Sequence, residues 1–348
     1  MGCCFSKRQN GKDSQRRGGE RSKQYSWDQR GKIDLKNYMF SGLKNETVGR
    51  LPGKVAGQQF IIQDCENCNV YIFDHSATIT VDDCINCIIF LGPVKGSVFF
   101  RNCTDCRSAL ACQQFRVRDC RKMEFFLFCA TQPIIESSTN IKFACFQWYY
   151  PELALQFKEA GLNVFNNNWS NIHDFTPVPG ELNWGILPEN AVICHRVPPP
   201  TTKEFKTVHI STEATKSIVP VTHGHRRKCS DESCLVVLFA SDYTTANARR
   251  LVDELVKEGF LLIQTREMPM KPEDAKRVFR GRAPEFTRYL NKGPVIALEF
   301  NGGGIVEACR ILVNEIFKKI KTYISENQDA ASKDIENFYN FADIQMRM

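Results

Sequence analysis

Two sets of residues in this 348-residue chain have types and spacings suited to chemistry. The first is cysteine. Cys65, Cys84, Cys103 and Cys120 recur at intervals of 19, 19 and 17 residues, and the first three open Cys-x-x-Cys pairs with Cys68, Cys87 and Cys106. Two such pairs with fifteen residues between them have the spacing of a zinc ribbon, where four thiolates complete a tetrahedral site. The second set begins the chain, Met-Gly-Cys-Cys-Phe-Ser. Gly2, freed by removal of Met1 and with Ser6 in the required place, fits N-myristoylation. Cys3 is the expected palmitoyl acceptor and Cys4 a further candidate. A single myristoyl chain binds membranes with only about 10⁴ M⁻¹, so a stable anchor needs this second signal.

The elements around the cysteines weigh against zinc. Five residues before each repeat cysteine stand Phe60, Ile79, Val98 and Phe115; three before stand Ile62, Val81, Phe100 and Val117. Asp64, Asp83, Asn102 and Asp119 come one before. Apolar side chains thus alternate with others, which is strand periodicity, inside a unit of about 19 residues. A repeat of that length predicts a parallel β-helix, with cysteine as a small apolar residue stacked inside the coil. No metal site is expected. The intermediate positions face out: Ile61, Thr80, Phe99 and Arg116 form one column. Ser97 and Phe99 should lie one rung behind Gln114 and Arg116. If Asn140 takes the cysteine's place in the next turn, Glu136 falls in the column of Arg116, one rung of about 4.8 Å away. The bland account of such a pair is a surface salt bridge worth about 0–1 kcal/mol.

Charge is unevenly spread. Nine of the Lys/Arg residues and three acids lie in residues 1–32, which places +6 of the net +7 in that tail. A basic tail suits an anionic leaflet, and the nearly neutral remainder argues against a nucleic-acid-binding core. No stretch approaches the ~18–20 apolar residues of a membrane span, and no signal peptide is apparent. The chain is therefore expected in the cytosol with its thiols reduced. Residues 1–24 read as a lipidated basic tether, 25–180 as the β-helix domain and 181–232, rich in proline, as a linker.

Residues 233–348 read as a smaller α/β, ferredoxin-like domain. Strands are expected at 234–240, 260–265 and 294–300, and helices at 244–258, 272–281 and 304–320, with the last twenty residues peripheral. The strand within Gly293-Pro-Val-Ile-Ala-Leu-Glu-Phe-Asn-Gly302 resembles that of nucleoside diphosphate kinases. The six histidines all precede residue 226, so phosphohistidine chemistry is excluded. Asn301-Gly-Gly-Gly304 lacks the Lys-Ser/Thr of a P-loop and reads as a tight turn.

The stretch Ala-Cys-Gln-Gln-Phe-Arg-Val-Arg-Asp-Cys (111–120) carries a signature similar to that of the tubulin-binding cofactor C domain family. Phe-Leu-Gly-Pro-Val-Lys-Gly-Ser-Val-Phe-Phe-Arg-Asn-Cys (90–103) and Trp-Ser-Asn-Ile-His-Asp-Phe-Thr-Pro-Val (169–178) extend the resemblance. It implies a right-handed β-helix that activates an Arf-like small GTPase, with Arg116 as the arginine finger, Gln113 its polar partner and Glu136 orienting it. It also implies partner contacts by Gly96, Ser97, Gln114, Phe115 and Phe175. The chain would hold no cofactor of its own, GTP and Mg being carried by the partner GTPase. The alternative is a non-catalytic adaptor or a folding cofactor that binds tubulin or tubulin cofactors. The lipidated N-terminus sets the expectation of the cytoplasmic face of the plasma membrane, and the resemblance adds the cilium and basal body or Golgi-associated vesicles.

Overall fold

A left-handed residue before each cysteine shapes the repeat. In the computed structural model, which describes residues 35–317 and 320–347, Asp64, Asp83, Asn102 and Asp119 have φ of 53–55°. A second column, Asn45, Asn67, Asn86, Asp105, Lys122 and Asn140, has φ of 50–58°. Asn and Asp tolerate this region better than other side chains with a Cβ. Each coil therefore turns twice within four residues, and after each turn an inward position follows. Asp-Cys-x-Asn-Cys is the trace of those two corners. The Cys65, Cys84, Cys103 and Cys120 thiols are buried, and each donates to the carbonyl two residues earlier at 3.3 Å. Burial pushes the Cys112 thiol well above its ordinary pKa.

The strands run β1 (Met39–Ser41), β2 (Thr47–Arg50), β3 (Phe60–Gln63), β4 (Asn69–Ile72), β5 (Ile79–Asp82) and β6 (Ile88–Arg101). They continue with β7 (Arg107–Arg118), β8 (Arg121–Cys129), β9 (Ile134–Glu136) and β10 (Thr139–Cys145). Helix α1 (Leu153–Glu159), β11 (His173–Asp174), β12 (Trp184–Ile186) and α2 (Ile193–Arg196) complete the region. All pair in parallel. One face is β1-β3-β5, the second halves of β6 and β7, then β9-β11. The other is β2-β4, the first halves of β6 and β7, then β8-β10-β12. This is the β-helix the repeat predicts. Phe100, Phe115, Phe125 and Phe143 stack inside it, with ring centroids 4.9–6.2 Å apart between neighbours.

Away from the first residues of its later strands, the second face is buried on both sides. Tyr71, Phe73 and Phe90 on its outer side are covered by Trp148, Ile193, Val197, Phe205 and Val208. The proline-rich segment, read as a linker, thus supplies part of a core. The signal for this was present: Phe125-Phe-Leu-Phe128 is continuous apolar sequence, as strands buried on both faces require.

The α/β region contains β13 (Ser233–Leu238), α3 (Thr244–Lys257), β14 (Leu261–Met268), α4 (Pro272–Phe279), α5 (Ala283–Leu290) and β15 (Val295–Asn301). It ends with α6 (Ile305–Ile316), β16 (Thr322–Ile324) and α7 (Gln328–Arg347). The antiparallel order β14-β15-β13-β16 is ferredoxin-like. The final residues are not peripheral, which corrects the sequence reading: α7 buries Phe338, Phe341 and Ala342 in the core. At the glycine-rich turn, Gly302 has φ 153° and any Cβ there would lie 2.6 Å from the Phe260 ring. The Glu232 carboxylate accepts from the Gly304 amide at 2.7 Å. A carboxylate thus sits where a phosphate would bind.

Candidate functional site

Arg116 sits in the second half of β7, where inward Phe115 and Val117 flank it and turn it to solvent. Ser97 pairs with Gln114 and Phe99 with Arg116 across the β6–β7 rung. The Ser97 hydroxyl donates to the Gln114 side-chain oxygen at 3.2 Å. Among the described residues, no hydrogen bond or ion pair engages the Arg116 guanidinium. Its backbone is fixed by parallel pairing on both sides, to β6 and to β9. The result is a cation on a stiff support with its donors unused.

Two of the expected site residues are placed otherwise than the sequence suggested. Glu136 pairs with Arg118, and Arg116 with Ile134. The register is two residues from the one expected because Ser138, not Asn140, replaces the cysteine. The Ser138 hydroxyl donates to the Glu136 carbonyl at 2.8 Å, as each repeat thiol does to its own carbonyl. Asn140 instead occupies the second left-handed corner. Glu136 is therefore diagonal to Arg116, about 8 Å away between Cα atoms from rungs of 4.8 Å and two strand steps. Both side chains face out, so the pair is within reach of long side chains but is not closed. Phe115, the second departure, is 1% exposed and packed among Phe100, Phe125 and Phe143. Its side chain cannot contact a partner; it fixes the strand beneath Arg116.

Gln113 lies at a corner where the inward phase changes from Leu110 and Cys112 to Phe115 and Val117. Its carbonyl accepts from the Thr131 amide at 3.1 Å and hydroxyl at 2.9 Å, and its side chain is half-buried. Gly96 forms the matching corner of β6, where a Cβ would meet the Ala77 carbonyl at 2.8 Å. Phe175 is 59% exposed and packs edge-on to His173 at 4.5 Å. Its amide donates to the Ile135 carbonyl at 3.0 Å, which places it one rung beyond Glu136. Gly2, Cys3 and Cys4 lie outside the described residues.

Beside Arg116 is a pocket of about 240 Å³ that Gln114, Thr131, Asn168 and Asn171 also line. Asp343 of α7 reaches its rim. Sequence reasoning missed this contribution, and with it the latch behind the pocket, Asn166-Asn167-Asn168. Asn166 exchanges hydrogen bonds with the Glu267 backbone at 2.7 and 2.9 Å. Asn167 accepts from the Cys129 amide and donates to the Leu127 carbonyl. Asn168 donates to the Ala130 carbonyl at 2.7 Å and accepts from Arg266. Arg266 is 5% exposed, and burial holds its pKa below the ordinary value. Three consecutive amide side chains, each able to donate and accept, were the signal that could have revealed a junction.

The β-helix segment has known relatives. Residues 57–175 match the family described as Tubulin binding cofactor C. The chain is 71% identical over 348 residues to Protein XRP2 of Homo sapiens, covering 99% of each chain. To Protein XRP2 of Gallus gallus it is 65% identical over 357 residues, covering 100% of each.

The chain belongs to the Protein XRP2 family.

Within that family assignment, the tubulin-binding cofactor C match holds Gly96, Ser97, Gln113, Gln114, Arg116, Glu136 and Phe175 in one segment. Tubulin-specific chaperone C of Homo sapiens is 31% identical over 153 residues, 43% of this chain and 44% of that protein. A nucleoside diphosphate kinase of Aquifex aeolicus aligns with 31% of this chain and 94% of its own, at 16% identity and a TM-score of 0.27. The ferredoxin-like assignment rests on the strand order given above. No described helix is long and apolar enough to cross a membrane.

Proposed function

We propose that this protein is a GTPase-activating protein that supplies Arg116 in trans to an Arf-like small GTPase. The observation that carries the reading is an exposed arginine with unused donors on a doubly paired β-helix strand. Charge develops on the transferred γ-phosphoryl in the transition state, and an arginine that meets it there accelerates hydrolysis by roughly 10³–10⁵. A planar guanidinium stays charged and reaches two oxygens at once. A rigid support means that little reorganisation is needed as the charge appears. Gln114, Gln113 and Ser97 offer polar contacts around the finger, and Glu136 can orient it from the diagonal position. Phe175, exposed beyond Glu136, offers an apolar contact. GTP and Mg belong to the partner. The test is single-turnover GTP hydrolysis over a panel of Arf-like GTPases, with and without this protein. Acceleration of at least one is the expected result; binding to GTP-loaded partners with no acceleration favours a non-catalytic adaptor.

The chaperone similarity favours a second reading, a tubulin-directed cofactor. It is distinguished by co-purification with tubulin that survives Arg116→Ala. In either case we propose that acyl chains on Gly2 and on Cys3 or Cys4 hold the protein at the cytoplasmic face of the plasma membrane. From there it would serve trafficking of lipidated cargo to the cilium. Gly2→Ala should release it to the soluble fraction.

A further inference from the structure

A second site lies on the other face of the β-helix. The corner column Asn45, Asn67, Asn86, Asp105, Lys122, Asn140 is filled by Asn or Asp at every position but one. Lys122, at φ 52°, has no short polar side chain to ease the left-handed backbone. A residue that breaks a local rule followed by its neighbours points to a use outside folding.

Lys122 opens onto a groove of about 550 Å³ shared with Arg107, Lys142, Arg196, Glu124 and Asp105. Four cations face two carboxylates. Glu124 is engaged by Arg196 at 2.8 Å, and Asp105 lies 3.7 Å from Lys122. Arg107 and Lys142 are half-buried, and no hydrogen bond or ion pair to a described residue engages either side chain. Both pair with Glu124 from opposite rungs, which puts them about 9.6 Å apart along the column. Gly185 stands in the next rung from Lys142, and a Cβ there would lie 3.0 Å from its ammonium. None of these residues lines the pocket beside Arg116.

We propose that this groove binds a polyphosphorylated anion, with Arg107 and Lys142 each taking a phosphate and Lys122 closing the open side. Two unpaired cations that far apart suit a ligand with several anionic groups better than a single phosphate. Arginine's fork matches phosphate oxygens, and the volume suits a ring-sized ligand. The source is either the headgroup of an inositol phospholipid or a soluble inositol phosphate.

The experiment uses the full-length, unacylated chain, and the basic tail is common to all variants. Inositol trisphosphate is titrated calorimetrically, and phosphatidylcholine vesicles with and without phosphatidylinositol bisphosphate are tested by sedimentation. The variants are Arg107→Gln with Lys142→Gln, and separately Lys122→Asn, which restores the corner's preferred residue and so preserves the fold. Saturable binding that the double variant weakens at least tenfold, and Lys122→Asn several-fold, is expected. Loss in both arms identifies a lipid headgroup; loss in the soluble arm alone identifies a free inositol phosphate. Absence of saturable binding, or variants that bind like the parent chain while folded by circular dichroism, overturns the proposal.

Discussion

Replacing Arg266 by alanine tests whether the α/β region braces the arginine-bearing coil. The side chain donates to Asn168, to the Thr265 carbonyl at 3.0 Å and, at the limit of bonding, to the Asn167 carbonyl at 3.5 Å. Each buried acceptor left without a donor costs about 1–3 kcal/mol, so the two firm bonds amount to about 2–6 kcal/mol. Against this, the guanidinium is desolvated and its Nε has no partner. Asp343, at 3.9 Å, is half-exposed and compensates weakly. Removing the charge relieves part of that penalty, which leaves a net loss of about 2–3 kcal/mol. Asn168 holds the Ala130 carbonyl, and Thr131 next to it holds Gln113. The loss should therefore appear as faster hydrogen exchange at the Thr131 amide as well as a lower urea midpoint. Arg266→Lys, which keeps some donors, should recover part of both. A destabilisation below about 0.5 kcal/mol with unchanged exchange would refute the reasoning, because it would mean that the buried bonds contribute nothing net.

Three further outcomes follow from local geometry. Gly302→Ala places a Cβ against Phe260 in a backbone region closed to alanine, and should lower the stability of the α/β region by about 2–4 kcal/mol in thermal unfolding. The buried Tyr71 hydroxyl, bonded to the Pro198 carbonyl at 2.8 Å, has its pKa pushed by burial from 10.0 up to about 12. The folded state favours the neutral phenol, so its contribution is intact below pH 10 and is lost as pH rises from 10 to about 12; Tyr71→Phe should flatten that alkaline decline in a denaturation series. Asp83→Gly should be tolerated at φ 54°, whereas Asp83→Val should cost about 1–2 kcal/mol, as read by shifts in the melting temperature.

The β-helix was legible because one motif encodes both of its corners. Asp-Cys-x-Asn-Cys states where the chain turns and what points inward, and it repeats often enough to fix the coil length. Register failed only where the motif changed residue type. Ser138 performs the cysteine's role with a hydroxyl, while Asn140, which resembles a landmark, marks the other corner. That slip moved Glu136 by two residues. The partner contact that the resemblance implies for Phe115 conflicts with the alternation itself, which turns Phe115 inward where it turns Arg116 out. Three of the four α/β strands and helices α3, α4 and α6 were visible from periodicity; β16, α5 and α7 were not, α7 because its polar first half hides the Phe338–Ala342 segment that packs. The latch at Asn166–Asn168 and the Asp343 contribution depend on tertiary contacts between segments from 38 to more than a hundred residues apart, which local pattern does not encode.

In the proposed function Arg116 acts on a partner's nucleotide and does not merely hold the partner. The direct measurement is single-turnover GTP hydrolysis by an activated Arf-like GTPase at saturating Arg116→Ala protein, with binding to the GTP-loaded partner measured in parallel. With Arg116→Ala the rate should fall by roughly 10³-fold or more, toward the partner's intrinsic rate, while affinity changes little. A rate within a few-fold of that given by the parent chain, with the same complex formed, would contradict that role.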